Sequence, residues 1–314
     1  MALDHLCPGR YRNRNSREYH AVSLLLLYCM NLSTACTRIE PASAPKFAEI
    51  QLGYMTASDI GLQAQIEAVD ARLRSKWDMT TGQTAVGLLD LNRTRLAMIH
   101  PDRIEYAASI PKIGILLAYF ALDPDATRAL TPQVRLELGL MIKQSSNELA
   151  AKYSRRLGLV RIREVLSAYE FYDAARGGGL WVGKHYGPSD ERMGDPVADH
   201  SHAATVRQVL RFYLLLEQGR LVSPEASATM RAIFALPDIP HVEDKFVKGL
   251  AGRGLEIRRK SGSWEDWWHD SAVITGTGRH YILVALTRHP MGDSYLEELA
   301  VAVDDLLAQD VARD

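Results

Sequence analysis

Strand-like alternation occurs near both ends of the chain with a long helical stretch between, an order that limits the fold more than any other feature. Residues 85–91 and 95–100 read as two strands turned by Asn92, Arg93 and Thr94. Residues 255–260, 272–275 and 281–287 read as three more, the last two joined by Gly276, Thr277, Gly278 and Arg279. The intervening segments 109–122, 132–143, 147–156, 160–169 and 204–217 carry apolar residues at helical spacing instead. A helix over 58–77, with Ser58 and Asp59 as capping candidates, precedes the first strands, and another over 295–308 follows the last. An α/β layer built from both chain ends, with an all-helical block inserted, satisfies this order. The boundaries expected are 58–118 and 240–314 for the α/β part and 119–239 for the all-α part. The latter contains a Gly-rich active-site loop at 177–199, which has little periodicity of its own.

Composition narrows the chemistry. The 314 residues are 47% hydrophobic and 24% charged, with a formal net charge of −1, so a packed core is expected and no basic footprint for nucleic acid exists. The three cysteines, Cys7, Cys29 and Cys36, all precede residue 37, which excludes disulfides, thiol nucleophiles and cysteine metal sites from the rest of the chain. Arg10, Arg12, Arg14 and Arg17 precede an apolar run at 21–30 and small residues at 33–35, the layout of a signal peptide over 1–35. Two mature forms follow from it: a lipid-anchored protein modified at Cys36, or a soluble periplasmic one cleaved after Ala35 or Ala44. In both the protein is exported, with residues 36–57 as a tether. Oligomeric state is left open. No GxGxxG, GxxxxGK[ST] or GxSxG pattern is present, so no nucleotide cofactor and no nucleophile elbow is expected.

Ser109-Ile110-Pro111-Lys112 places a hydroxyl and an amine three residues apart at a helix start, on one face. Spacing alone is weak, because Ser43 and Lys46 repeat it within the tether. What distinguishes Ser109 is the company of Ser145-Ser146-Asn147 at another helix start and Lys260-Ser261-Gly262 at the end of a strand. Their order and separations, 36 and then 115 positions, fit the SxxK, SxN and K[ST]G triplet of penicillin-recognising serine enzymes.

On these motifs the chain resembles the class A serine β-lactamases and the penicillin-binding proteins over roughly residues 58 to 310. The resemblance implies an α+β fold, an antiparallel sheet flanked by helices plus an inserted all-α domain, with the three motifs meeting in the cleft between. It implies that Ser109 is the nucleophile, Lys112 its base, and Ser145 a proton relay to the departing nitrogen. Asn147 would hold the substrate's amide side chain, and Lys260 and Ser261 its carboxylate, with Gly262 allowing close approach. The amides of Ser109 and Ser263 would form the oxyanion hole. No cofactor or metal enters this scheme. The substrate it implies is a β-lactam or a peptidoglycan peptide. For Lys112 to serve as a base its amine must be largely neutral, which burial and the second cation Lys260 would favour.

One motif is missing. Class A enzymes carry an ExxLN loop whose glutamate positions the deacylating water, and none occurs between Asn147 and Ala204. Glu191 is the substitute on offer in a loop that reads Gly177 to Gly187 followed by Asp190, Glu191 and Asp195. Ser146, where class A enzymes have an aspartate, leans toward the penicillin-binding proteins. The expected activity is therefore an exported β-lactamase-like serine hydrolase, with a D,D-peptidase or a non-turnover sensor as rivals. His200 and His202 read as surface or helix-start residues rather than metal ligands. Trp264, Trp267 and Trp268 with His269 either line the substrate mouth or pack against the terminal helix or a partner.

Overall fold

The computed structural model describes residues 46–123 and 125–313. The signal segment, Cys36 and the first part of the tether lie outside the described residues. A first helix, α1 (Ile60–Lys76), is capped by Asp59, whose carboxylate accepts from the Leu62 amide at 2.7 Å. Strands β1 (Thr84–Asp90), β2 (Arg95–Ile99) and the short β3 (Glu105–Tyr106) follow, then α2 (Lys112–Leu122), α3 (Pro132–Lys143), α4 (Asn147–Leu157) and α5 (Leu159–Ala168). The Gly-rich region holds two-residue strands β4 (Tyr172–Asp173), β5 (Gly178–Gly179) and β6 (Trp181–Val182), and leads into β7 (His202–Ala204). Helices α6 (Val206–Glu217), α7 (Pro224–Phe234) and α8 (Lys245–Gly249) precede the long strands β8 (Glu256–Trp264), β9 (Trp267–Gly276) and β10 (Arg279–Arg288), and α9 (Gly292–Arg313) ends the chain.

The main sheet is antiparallel in the order β2-β1-β10-β9-β8, so strands from opposite chain ends are neighbours at β1 and β10. Alternation divides β10 between two cores: Ile282, Val284 and Leu286 face the helical block, while Tyr281, Leu283 and Ala285 face α1 and α9. In β1, Val86 and Leu88 join the second set, whereas Gly87 faces α6 so closely that an added Cβ would sit 2.5 Å from side-chain carbons of Val206 and Leu210. The sheet is thus covered on both faces.

Two boundaries differ from the sequence expectation. The motif strand does not stop at Lys260 but runs to Trp264, because β9 supplies ladder partners down to Trp264 and Trp267, while Ser261, Gly262 and Ser263 carry no apolar alternation to mark the pairing. The tether expected over 36–57 is already docked where description begins. Leu52 is buried, Phe47 and Ile50 pack on the same core, and Gln218 on the end of α6 donates to the carbonyls of Phe47 and Ile50, both at 2.8 Å.

Candidate active site

The chain enters α2 through a tight turn. The Ile110 amide bonds the Ala107 carbonyl at 2.9 Å and the Lys112 amide bonds that of Ser109 at 3.3 Å, with Pro111 in helical conformation just ahead of the first helical residue. Residues Ile113 to Phe120 are all buried, so this apolar helix delivers the Lys112 amine into the interior rather than to water. Nζ lies 3.0 Å from Ser109 Oγ, 3.2 Å from Ser145 Oγ, 2.6 Å from the Ser145 carbonyl and 2.8 Å from Asn147 Oδ1. Burial lowers the Lys112 pKa to about 7.

Ser145 precedes the capped start of α4, where Ser146 Oγ accepts from the Leu149 amide at 3.2 Å. It adopts φ +58°, as Ala108 beside the nucleophile adopts +47°. Left-handed backbone costs roughly 1–2 kcal/mol at a residue with a side chain, and both instances flank the reacting groups. Lys260, on β8, donates to Ser145 Oγ at 2.9 Å and to the Ser261 carbonyl at 2.7 Å. It is fully buried, and desolvation, followed by the charge of Lys112, pushes its pKa well down. The Ser145 hydroxyl therefore bridges two amines that each disfavour the other's charge.

A cleft of about 390 Å³ opens over Ser109, Asn147 and Ser263, walled by Tyr106, Lys184, Tyr186, His202 and Trp264. Among the described residues no carboxylate lines it directly. Glu191, the candidate for a water-activating base, stands behind His185 of the cleft wall: its carboxylate pairs with His185 Nε2 at 3.2 Å and is 62% exposed. Trp264 stands half open at the cleft mouth, Trp267 packs edge-on to Tyr106 and His200, and Trp268 lies against Gly292 at the start of α9. His202 is enclosed, its Nε2 3.0 Å from the Lys184 carbonyl, rather than on the surface. Among the described residues no group of three His, Cys, Asp or Glu side chains is placed to hold a metal ion.

Gly262 meets a demand other than the one expected of it. An added Cβ would lie 2.7 Å from the Ala107 carbonyl and 3.0 Å from the Ser109 amide, so its bareness lets β8 close on the turn that carries the nucleophile. Backbone cannot yield as a side chain can. Gly262→Ala should destabilise the protein by about 1–3 kcal/mol and slow any reaction at Ser109, which thermal unfolding read beside the reaction rate will check.

Two residues of the site carried no sequence signal that singled them out. Lys245, buried at the start of α8, donates to Ser263 Oγ at 2.8 Å and to Asp244 at 3.0 Å. Tyr186 places its ring 4.5 Å from the Lys112 amine and donates its hydroxyl to the Ala108 carbonyl at 3.1 Å.

The sequence model of the beta-lactamase enzyme family matches residues 125–309, more than half of the chain. The chain belongs to that family. The matched span contains Ser145, Asn147 and Lys260 but begins after Ser109 and Lys112, so the geometry above is what joins this pair to the matched motifs. Solved structures agree on the fold. A beta-lactamase from Sphaerobacter thermophilus superposes with TM-score 0.63 at 16% identity, covering 78% of this chain and 97% of that one. A beta-lactamase from Chitinophaga pinensis gives 0.60 at 14%, covering 80% and 99%. A variant of PBP-A, solved as its acyl-enzyme complex with penicillin G, gives 0.61 at 15%, covering 79% and 97%. No curated protein matches the sequence significantly.

Proposed function

We propose that this protein is an exported serine enzyme that opens the amide of a β-lactam, or of a carboxylate-terminated peptidoglycan peptide, by acylation of Ser109. The observation that carries the reading is the hydrogen-bonded set Ser109, Lys112, Ser145 and Lys260, of which Ser109 opens into the cleft. In the step proposed, Ser109 Oγ bonds to the carbonyl carbon while its proton passes to Lys112 Nζ. The oxyanion is held by the amides of Ser109 and Ser263, the C–N bond breaks, and the nitrogen takes a proton through Ser145 Oγ. Among the described residues the Ser109 amide has no protein acceptor, which leaves it available for that role. The substrate carboxylate would meet Ser261 and Ser263, with the amines of Lys260 and Lys245 behind them. Asn147, whose Oδ1 is taken by Lys112, would offer a substrate amide its N–H.

Acylation needs neutral Lys112. With an amine pKa of about 7, the rate should rise about tenfold per pH unit below neutrality and level off above it. Stopped-flow acylation by a chromogenic cephalosporin across that range will read the midpoint.

The cleft without a carboxylate favours a second reading, in which water is poorly activated and the acyl-enzyme persists. Time-resolved intact-mass spectrometry with penicillin G separates the two. A Ser109 adduct that outlasts many minutes supports the persistent form, and one that clears within seconds supports a hydrolase. Folded protein with no adduct would sink acylation altogether, and release of D-alanine from a muropeptide would favour a peptidase.

A further inference from the structure

We propose that Tyr186 is a positioning residue for Lys112, its ring face holding the ammonium form against Ser109 and Ser145 on the side of the cleft where no carboxylate stands. This rests on Ser109 and Lys112 being the acylating pair. The amine has four oxygens around it, two on Ser145 and one each on Ser109 and Asn147, and the Tyr186 ring at 4.5 Å closes the side they leave. A ring face carries negative quadrupole and attracts a desolvated ammonium, while its carbon surface keeps water away from the same atom.

The ring is held from two directions. Its hydroxyl donates to the Ala108 carbonyl, next to the nucleophile, at 3.1 Å, and its other contact is His202, with ring centroids 4.2 Å apart. His202 is itself fixed by the Lys184 carbonyl, and burial lowers its pKa to about 4, so the group stacked on the ring is neutral at working pH. Lys260, bonded to the same Ser145 hydroxyl, and Tyr106, Lys184 and His185 on the cleft wall are the other titratable groups near the amine, with Glu191 behind His185 at 3.2 Å. Among the described residues no carboxylate bonds the amine itself. Tyr186 thus gives the protonated amine a partner that cannot take its proton.

The test is a lysine titration in the intact protein, independent of any substrate. Selectively ¹³C-labelled lysine is followed by NMR from about pH 5 to 10, with the Lys112 signal identified by its loss in Lys112→Arg. Tyr186→Leu keeps the site dry but removes the ring, and should move the Lys112 midpoint down by about 0.4 to 1.5 in pH. Tyr186→Phe keeps the face and should leave the midpoint in place. Should the leucine variant fail to fold, pentafluorophenylalanine at position 186 reverses the ring's quadrupole at nearly constant size, and should move the midpoint the same way. A midpoint that stays fixed or rises when the face is removed or reversed overturns the proposal. Penicillin acylation measured on the same samples keeps the two readings apart. Wild-type protein that titrates as expected but forms no adduct refutes the acylating function and leaves the role of the ring in place.

Discussion

Ser109→Ala protein should show no mass increase with penicillin G under conditions that label the wild type to completion, while its thermal unfolding is unchanged. The hydroxyl is the atom that bonds to the carbonyl carbon, and nothing beside it can replace it: Ser145 Oγ is occupied by two amines, at 3.2 and 2.9 Å. Lys112→Ala should retain the nucleophile and lose its base, slowing acylation by about 10²–10⁴-fold. It should also release Asn147 Oδ1 and the Ser145 carbonyl from their shared partner. An adduct on Ser109→Ala, located elsewhere by peptide mapping, would remove Ser109 from the mechanism.

The second large effect lies behind the cleft. Arg259 and Asp270 form a fully buried pair on adjacent strands, with Arg259 Nε 2.7 and 2.8 Å from the two carboxylate oxygens. Asp270 also accepts from the amides of Phe246 and Ser271 at 3.1 and 3.0 Å, and Arg259 reaches Asp244 and the Val242 carbonyl. Asp270→Ala leaves a buried guanidinium short of its main counter-charge and two amides unpaired, a loss of about 3–5 kcal/mol. For a domain of this size that lowers the unfolding midpoint by roughly 6–20 °C. Because the Ser271 hydroxyl, held next to Asp270, donates to the Lys260 carbonyl at 2.7 Å, the surviving folded protein should also react more slowly at Ser109. Calorimetry and adduct kinetics on the same sample test both parts.

Much of this site is legible in the sequence because its parts are local. Ser109 and Lys112 share one turn, Ser145 and Asn147 another, and Lys260 to Ser263 one strand, so each fragment is a short string whose residues must lie together once the secondary structure is assigned. The motif order then brings the three strings to one cleft. Tyr186 and Lys245 escape that logic. Their partners, Lys112 and Ala108 for one and Ser263 for the other, are distant in sequence, and a tyrosine in a Gly-rich loop or a lysine at a helix start has no pattern to mark it. The surroundings of Glu191 are hidden for the same reason, since its carboxylate pairs with His185 on the cleft wall, a pairing of six residues' separation that no periodicity announces. In the fold, alternation reads the strands well until small polar residues replace it, as at Ser261, Gly262 and Ser263. The tether misleads because alanine and proline dominate its composition, whereas three apolar side chains, Phe47, Ile50 and Leu52, decide its packing.

The pairing of β1 with β10 has a consequence in time. Seven residues near position 87 find their ladder partners about 200 positions later, so the centre of the sheet cannot pair until residues 281–287 have been synthesised. Loop-closure entropy on that scale makes such a topology slow to form. A ribosome-bound chain that stops before residue 279 would lack β10 and α9, and with them the strand that contributes side chains to both cores. Late closure of this kind means that β1, laid down early, cannot join the strands that carry Lys260 to Ser263 until β10 exists to stand between them.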